Sequence, residues 1–145
     1  MKSYQLAALA LALVSGNVLA GPLEEAKQHV QAIAAGDVAQ IVATYAADAN
    51  LYWIGGPLDG NYSGMDNITG VWQKFTKSQG TFKATIDHVQ EAINPKGATV
   101  TADVLFEGKQ TVKVRYVMSY REGKLIAETW QIDPKRDVKS AYSFR

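Results

Sequence analysis

HVQAIAAGDVAQIVATYAADA, residues 29–49, decides the fold. Val30, Ile33 and Ala34 continue a helical spacing that begins at Leu23 and Ala26. Gly36 supplies a helix stop and Asp37 a fresh N-cap. Val38, Ile41, Val42 and Tyr45 then fall at i, i+3, i+4 and i+7, one face of a second helix. Two short amphipathic helices cannot bury their stripes against each other alone, so they need a broad apolar partner.

Downstream, Asp66 caps a third helix with Ile68, Val71, Trp72 and Phe75 along one side and Gly80 as its stop. The partner is a sheet. Asn50 to Ile54 is a short candidate strand, and the chain from Phe82 is rich in β-branched and aromatic residues. Strands are expected near 82–93, 98–106, 111–121 and 124–132. Asn94-Pro95-Lys96-Gly97, Glu107-Gly108 and Glu122-Gly123 are the turns between them. Helices followed by an antiparallel run make an α+β domain with its helices on one face. Pro134 ends the last strand, and the basic, polar residues 135–145 form a tail that is loose or docks weakly, with Tyr142 and Phe144 as candidate pins.

Upstream, Pro22 suits a first helical turn, and Glu24 and Glu25 favour the positive end of the helix dipole. Residues 1–20 read differently. Lys2 is the only charge, LAALALALV from Leu6 to Val14 is unbroken, and Val18-Leu19-Ala20 puts small residues where a signal peptidase inspects. This is the layout of a secretory signal, so export to the periplasm or medium is expected. The apolar run is too short to span a bilayer, and no membrane segment is expected in the mature chain. The expected organisation is a signal over 1–20, one domain over 21–134 and a tail over 135–145.

Composition narrows the chemistry. Of 145 residues, 15 are Lys or Arg and 14 are Asp or Glu, and 47% are hydrophobic, which is too apolar for a disordered chain. Near-zero charge without a basic block argues against nucleic acid as a partner. The absence of cysteine excludes disulfides, thiolate metal sites and a cysteine nucleophile. Two histidines far apart, with no HExxH, argue against a metal site. Gly55-Gly56-Pro57 lacks the helix and lysine of a phosphate cradle, and no GxSxG elbow occurs. No cofactor is therefore expected.

The last hairpin can be placed by pairing. With Glu122-Gly123 as a two-residue loop, Arg115 faces Trp130, Val117 faces Glu128 and Ser119 faces Ile126. Arg115, Val117, Glu128 and Trp130 then share one face, with Tyr116, Met118, Ala127 and Thr129 on the other. Asp87 and His88, adjacent in a strand, are expected to point to opposite faces. Asp48 reads as a helix-end or turn residue.

The order helix, helix, strand, helix, four strands is familiar. His29 to Asp37, followed by Ile41 to Ala49, resembles the opening of SnoaL-like and ketosteroid-isomerase-like proteins of the nuclear-transport-factor-2-like superfamily. Ser63-Gly64 with Ile68 resembles that family's loop into its third helix. The resemblance covers residues 23 to 132. It implies a cone: three N-terminal helices on a curved, mainly antiparallel sheet, enclosing a mostly apolar cavity open at one end. It also implies a homodimer paired through the outer sheet face, where some of the many tyrosines would be buried.

The family's isomerases use a strand carboxylate, a first-helix tyrosine and a protonated late-strand aspartate. By resemblance, Trp53, His29 and Val117 stand at those positions. None matches, so a steroid-type isomerase is not expected. The leading reading is a small apolar or aromatic ligand held by Trp53, Trp72, Val117 and Trp130, with Arg115 among the orienting polar groups. The second is a cofactor-independent isomerase, cyclase or hydrolase using His29 as acid–base with Arg115 or Glu128 as its partner. The third is an interaction module whose pocket is filled.

Overall fold

The computed structural model describes residues 21–138. The expected export segment, Tyr142 and Phe144 lie outside the described residues.

The first helix, α1 (Pro22–Ala35), stops where Gly36 turns left-handed at φ 69° and its N–H reaches the carbonyls of Ala32 and Ile33. Asp37 then caps α2 (Val38–Val42), accepting a 3.1 Å hydrogen bond from the Gln40 N–H. This second helix is shorter than its spacing predicts. Tyr45 leaves it and opens β1 (Tyr45–Ile54), because the chain pairs in parallel with the last strand from Tyr45 onward. Asp48 accordingly sits within a strand. A four-residue strand, β2 (Gly60–Ser63), precedes α3 (Met65–Gln79). Gly-Asn-Tyr-Ser is too short and too polar to announce itself as a strand.

The remaining chain forms β3 (Lys83–Asn94), β4 (Gly97–Glu107), β5 (Thr111–Arg121) and β6 (Lys124–Ile132). The six strands form one sheet in the order β2-β1-β6-β5-β4-β3, antiparallel except for the β1–β6 pair. The sheet is curved, and α1 and α3 lie on its inner face. The expected α+β class and cone-like architecture therefore hold.

The β5–β6 hairpin turns as expected but does not keep its register. Glu122 and Gly123 both have positive φ, 51° and 71°, the geometry that matches strand twist in a two-residue loop. Arg121 pairs with Lys124 and Tyr120 with Leu125. A bulge then leaves Ile126 without a partner, and Ser119 pairs with Ala127. Beyond the bulge Tyr116 faces Trp130 and Met118 faces Glu128, while Arg115 faces Gln131 and Val117 faces Thr129. The expected grouping is corrected by one residue. Tyr116, Met118, Glu128 and Trp130 share the inner face, and Arg115 and Val117 lie on the outer one.

A second bulge, in β3, overturns the separation of Asp87 and His88. His88 adopts φ 50° where the β3–β4 register shifts. Its Nδ1 lies 3.5 Å from Asp87 Oδ2 and 2.9 Å from Asp103 Oδ2. Asp103 is 1% exposed, and it also meets Arg136 Nε at 2.7 Å and Arg115 Nη1 at 3.5 Å. Arg115 thus serves a buried carboxylate on the outer face. Arg136 carries part of the tail to the same carboxylate, so these residues dock and are not loose.

Of the tyrosines expected on the outer face, Tyr52 is there, 42% exposed and opposite Thr129. Tyr45, Tyr116 and Tyr120 are buried in the core. Tyr62 is half-buried and donates to the Leu58 carbonyl at 2.7 Å.

Gly97 starts β4 where it crosses the end of β5. A Cβ there would lie 2.2 Å from the Tyr120 carbonyl oxygen, so the backbones approach too closely for any side chain. Gly97→Ala is expected to destabilise the domain by about 2–4 kcal/mol, read from urea unfolding, because two paired strands would have to separate. A loss below about 0.5 kcal/mol would contradict that close approach.

Candidate functional site

The inner face of β6 presents Glu128, which is 1% exposed. Its carboxylate is met from three other elements. Tyr45, at the start of β1, donates to Oε1, and Tyr116, in β5, donates to Oε2. His29, from α1, places Nε2 3.3 Å from Oε2. The network extends outward at both ends. Trp72 in α3 donates its indole N–H to the Tyr45 hydroxyl at 2.9 Å. Thr44 Oγ1 lies 3.3 Å from His29 Nδ1 and donates to the Ile41 carbonyl at 3.2 Å.

The Thr44 hydroxyl donates to the Ile41 carbonyl, which leaves its oxygen to accept from His29 Nδ1 when that nitrogen carries the hydrogen. A neutral Glu128 carboxyl, which burial favours, lies in the interior without an uncompensated charge. Burial pushes the Glu128 carboxyl above its ordinary value, with the His29 hydrogen bond and charge opposing the rise. Burial also pushes the Tyr116 phenol well above its ordinary value, so Tyr116 remains a donor.

The three tryptophans close this centre off. Trp53, Trp72 and Trp130 are 2%, 0% and 0% exposed. Trp53 lies 4.9 Å from Trp130 and 5.3 Å from Trp72, between ring centroids, and Trp130 lies 5.2 Å from Tyr116. Phe75 and Phe106 complete the packing at 5.5 and 5.3 Å from Trp130. The cone is thus filled with aromatic rings where a deep cavity was expected. Trp72 and Trp130 form its interior, and Val117 is on the opposite side of the sheet.

One of the remaining hollows is an apolar cleft of about 290 Å³ at one end of the cone. Trp53 lies at the end of β1, Ile132 at the end of β6 and Val112 at the start of β5. Leu58 comes from the β1–β2 loop, and Phe75 and Gln79 from α3. Gly55 and Gly56, at φ 96° and 71°, turn β1 into that loop. A larger hollow of about 410 Å³ lies at the opposite end, with walls divided between polar side chains such as Lys96 and Arg121 and apolar ones such as Ile93 and Ile126. The apolar cleft is the better candidate for binding.

The structure therefore brings together two of the residues expected to act, His29 and Glu128, and seats Trp53 at a cleft. It moves Arg115 and Val117 away. Tyr45 and Tyr116 were missed as partners of Glu128, and Leu58, Phe75, Gln79 and Ile132 as cleft residues. Among the described residues no group of three or more His, Cys, Asp or Glu could hold a metal ion.

Residues 26–129 match the SnoaL-like domain family. The chain belongs to that family. Similar solved structures include a nuclear-transport-factor-2-like protein of unknown function from Pseudomonas putida, with a TM-score of 0.66, 18% identity, and coverage of 84% of this chain and 89% of that one. A ketosteroid isomerase-like protein from Erwinia carotovora atroseptica gives 0.63 and 18%, covering 81% and 97%. A polyketide cyclase, so described provisionally, from Sinorhizobium meliloti gives 0.55 and 18%, covering 74% and 94%. At such identities these likenesses establish the fold alone. No curated protein matches the sequence.

The raised Glu128 value has a thermodynamic consequence of definite sign. The folded chain holds this proton more tightly than the unfolded one. The resulting stabilisation is complete below the ordinary value of 4.5 and is lost as pH rises through the folded value. Glu128→Gln is expected to cost about 1–3 kcal/mol at acidic pH, since one tyrosine would face an amide NH₂ in place of an acceptor. In urea titrations, the advantage of wild type over this variant should shrink as pH rises above 4.5. An advantage that grows with pH would reverse the assignment.

Proposed function

We propose that this SnoaL-like protein binds a small, mainly apolar ligand in the cleft over Trp53. The observation that carries the reading is the cleft itself, an apolar hollow with Leu58, Phe75, Val112 and Ile132 around an almost fully buried indole. Aromatic and aliphatic walls gain from excluding water. Its size suits a ligand of one or two fused rings, smaller than a deep cone would admit. Delivery outside the cytoplasm belongs to the proposal and rests on the layout of residues 1–20.

Filling the cleft tests it. Leu58→Trp is expected to abolish binding of a naphthalene-type probe, followed by calorimetry, while leaving the melting curve within a few degrees of wild type. Trp53→Phe should weaken the same probe by about 1–2 kcal/mol through lost ring contact. Undiminished affinity in Leu58→Trp would place the ligand elsewhere.

A second reading, an isomerase or cyclase, is favoured by one observation: the 3.3 Å contact between His29 and the raised carboxyl of Glu128. Both reactions begin with a proton moved beside a carbonyl, which such a pair can do. The indole layer stands between the cleft and this pair, so a substrate would have to displace rings to reach it. Exchange of α-protons of a cyclic ketone in D₂O, followed by NMR, is the direct assay. The reading requires exchange by wild type and its loss in His29→Asn. Equal rates with and without protein would end it.

A further inference from the structure

His88 stands where β3 breaks its pairing with β4. Asp87 pairs with Asp103 and Gln90 with Thr101, so His88 and Val89 together oppose Ala102. Val89 takes the inward place and lines a recess with Ala26 and Met118. His88 is the extra residue, and at φ 50° it occupies the left-handed region that few side chains adopt. Its N–H donates to Asp87 Oδ1 at 2.8 Å. The result is an imidazole that is 59% exposed on the outer face, with Nδ1 2.9 Å from the buried Asp103 carboxylate. Charge balance does not require it there. Asp103 already meets Arg136 at 2.7 Å and Arg115 at 3.5 Å, so two guanidinium groups answer one carboxylate before the histidine is counted. A carboxylate so held accepts and does not donate. The hydrogen of the third contact therefore lies on Nδ1, and Nε2 keeps its lone pair. Bulges and strained residues gather where a side chain has to be aimed.

We propose that His88 and Asp103 form a reactive centre on the outer face that hydrolyses small, neutral, activated esters. The Nε2 lone pair adds to the acyl carbon, the bond from that carbon to the leaving oxygen breaks, and the alkoxide or phenolate departs with the electron pair. Water then adds to the acyl carbon, the carbon–nitrogen bond breaks, and its electron pair returns to Nε2. The carboxylate leaves, and two protons pass to solvent. Asp103 is the positioning residue: it fixes the tautomer and balances the positive charge that the ring gains when acylated. Asp133, Lys135 and Asp137 line the surrounding hollow of about 310 Å³. Both signs of charge are present in its walls, so it favours a neutral substrate over an ionic one. The hollow shares no lining residue with the cleft over Trp53.

Release of nitrophenolate from para-nitrophenyl acetate by the full chain is the assay. Wild type should turn the ester over about a hundredfold faster than an equal concentration of free imidazole, the scale of one positioned proton-transfer or nucleophilic group. The chain's other histidine, His29, is 1% exposed, so the reaction of an accessible imidazole reports on His88. His88→Asn should abolish turnover and leave the melting curve in place, since asparagine also tolerates a left-handed backbone and can donate to Asp103. Asp103→Asn should lower kcat about a hundredfold with KM unchanged, a split that a merely structural role would not produce. Should that variant fail to fold, wild type still decides. The trimethylacetyl ester, whose acyl-imidazole hydrolyses slowly, should leave its acyl group on His88 in mass spectra. Turnover no faster than free imidazole, turnover that survives in His88→Asn, or acyl groups found on lysines alone would overturn the centre.

Discussion

Everything inside this domain is arranged around one carboxyl group. Glu128 is held by residues from α1, β1 and β5, and it stands on β6. Residues from four elements, drawn from both ends of the domain, therefore meet at two oxygen atoms. A carboxylate in the interior is tolerable only if its charge is balanced and its lone pairs are met. Here burial favours the neutral carboxyl, and His29 and two phenols meet its oxygens. The cost of any other arrangement makes the network a constraint on how the helices seat on the sheet, as well as a source of stability.

The aromatic filling follows from the same geometry. The polar centre sits deep in the cone, and Trp72 is tied to it through Tyr45. Rings then pack outward through Trp130 to Trp53, edge to face and tilted, at centroid distances typical of favourable aromatic pairs. In a fold built to enclose a hollow, three indoles occupy the space and leave a shallow recess at the rim. A shared family thus says little about what enters the cone, because side-chain volume at a few inward positions decides how much cone remains.

Much of this was legible in the sequence. Helical spacing, the Gly36-Asp37 junction and the turn residues located three helices and the long strands. His29 and Glu128, singled out in the sequence, meet in the interior, and Trp53 lines a cleft. The faces of β5 and β6 were not, because a two-residue turn fixes register only up to the next irregularity. The signal was nevertheless present. In β5, Val112, Val114, Tyr116, Met118 and Tyr120 alternate with Lys113, Arg115, Ser119 and Arg121, which already puts Tyr116 inside. In β6, Leu125 and Trp130 differ in parity, so both can face inward only if one residue between them is extra. Ile126 is that residue. Strand β2 and the His88 bulge carry no comparable pattern, since each depends on pairing partners distant in sequence.

The tail has a bearing on where this domain ends. Judged by strands, the fold is complete at Ile132, and Pro134 looks like a natural terminus. Yet Arg136 supplies the shortest contact to Asp103, a carboxylate buried on the sheet's far side. A recombinant version trimmed after Pro134 would retain every strand and helix. It would also leave an anion beneath the surface with His88 and Arg115 as its remaining partners among the described residues. The functional boundary of the folded unit is thus set by a counter-ion and falls beyond the last element of secondary structure.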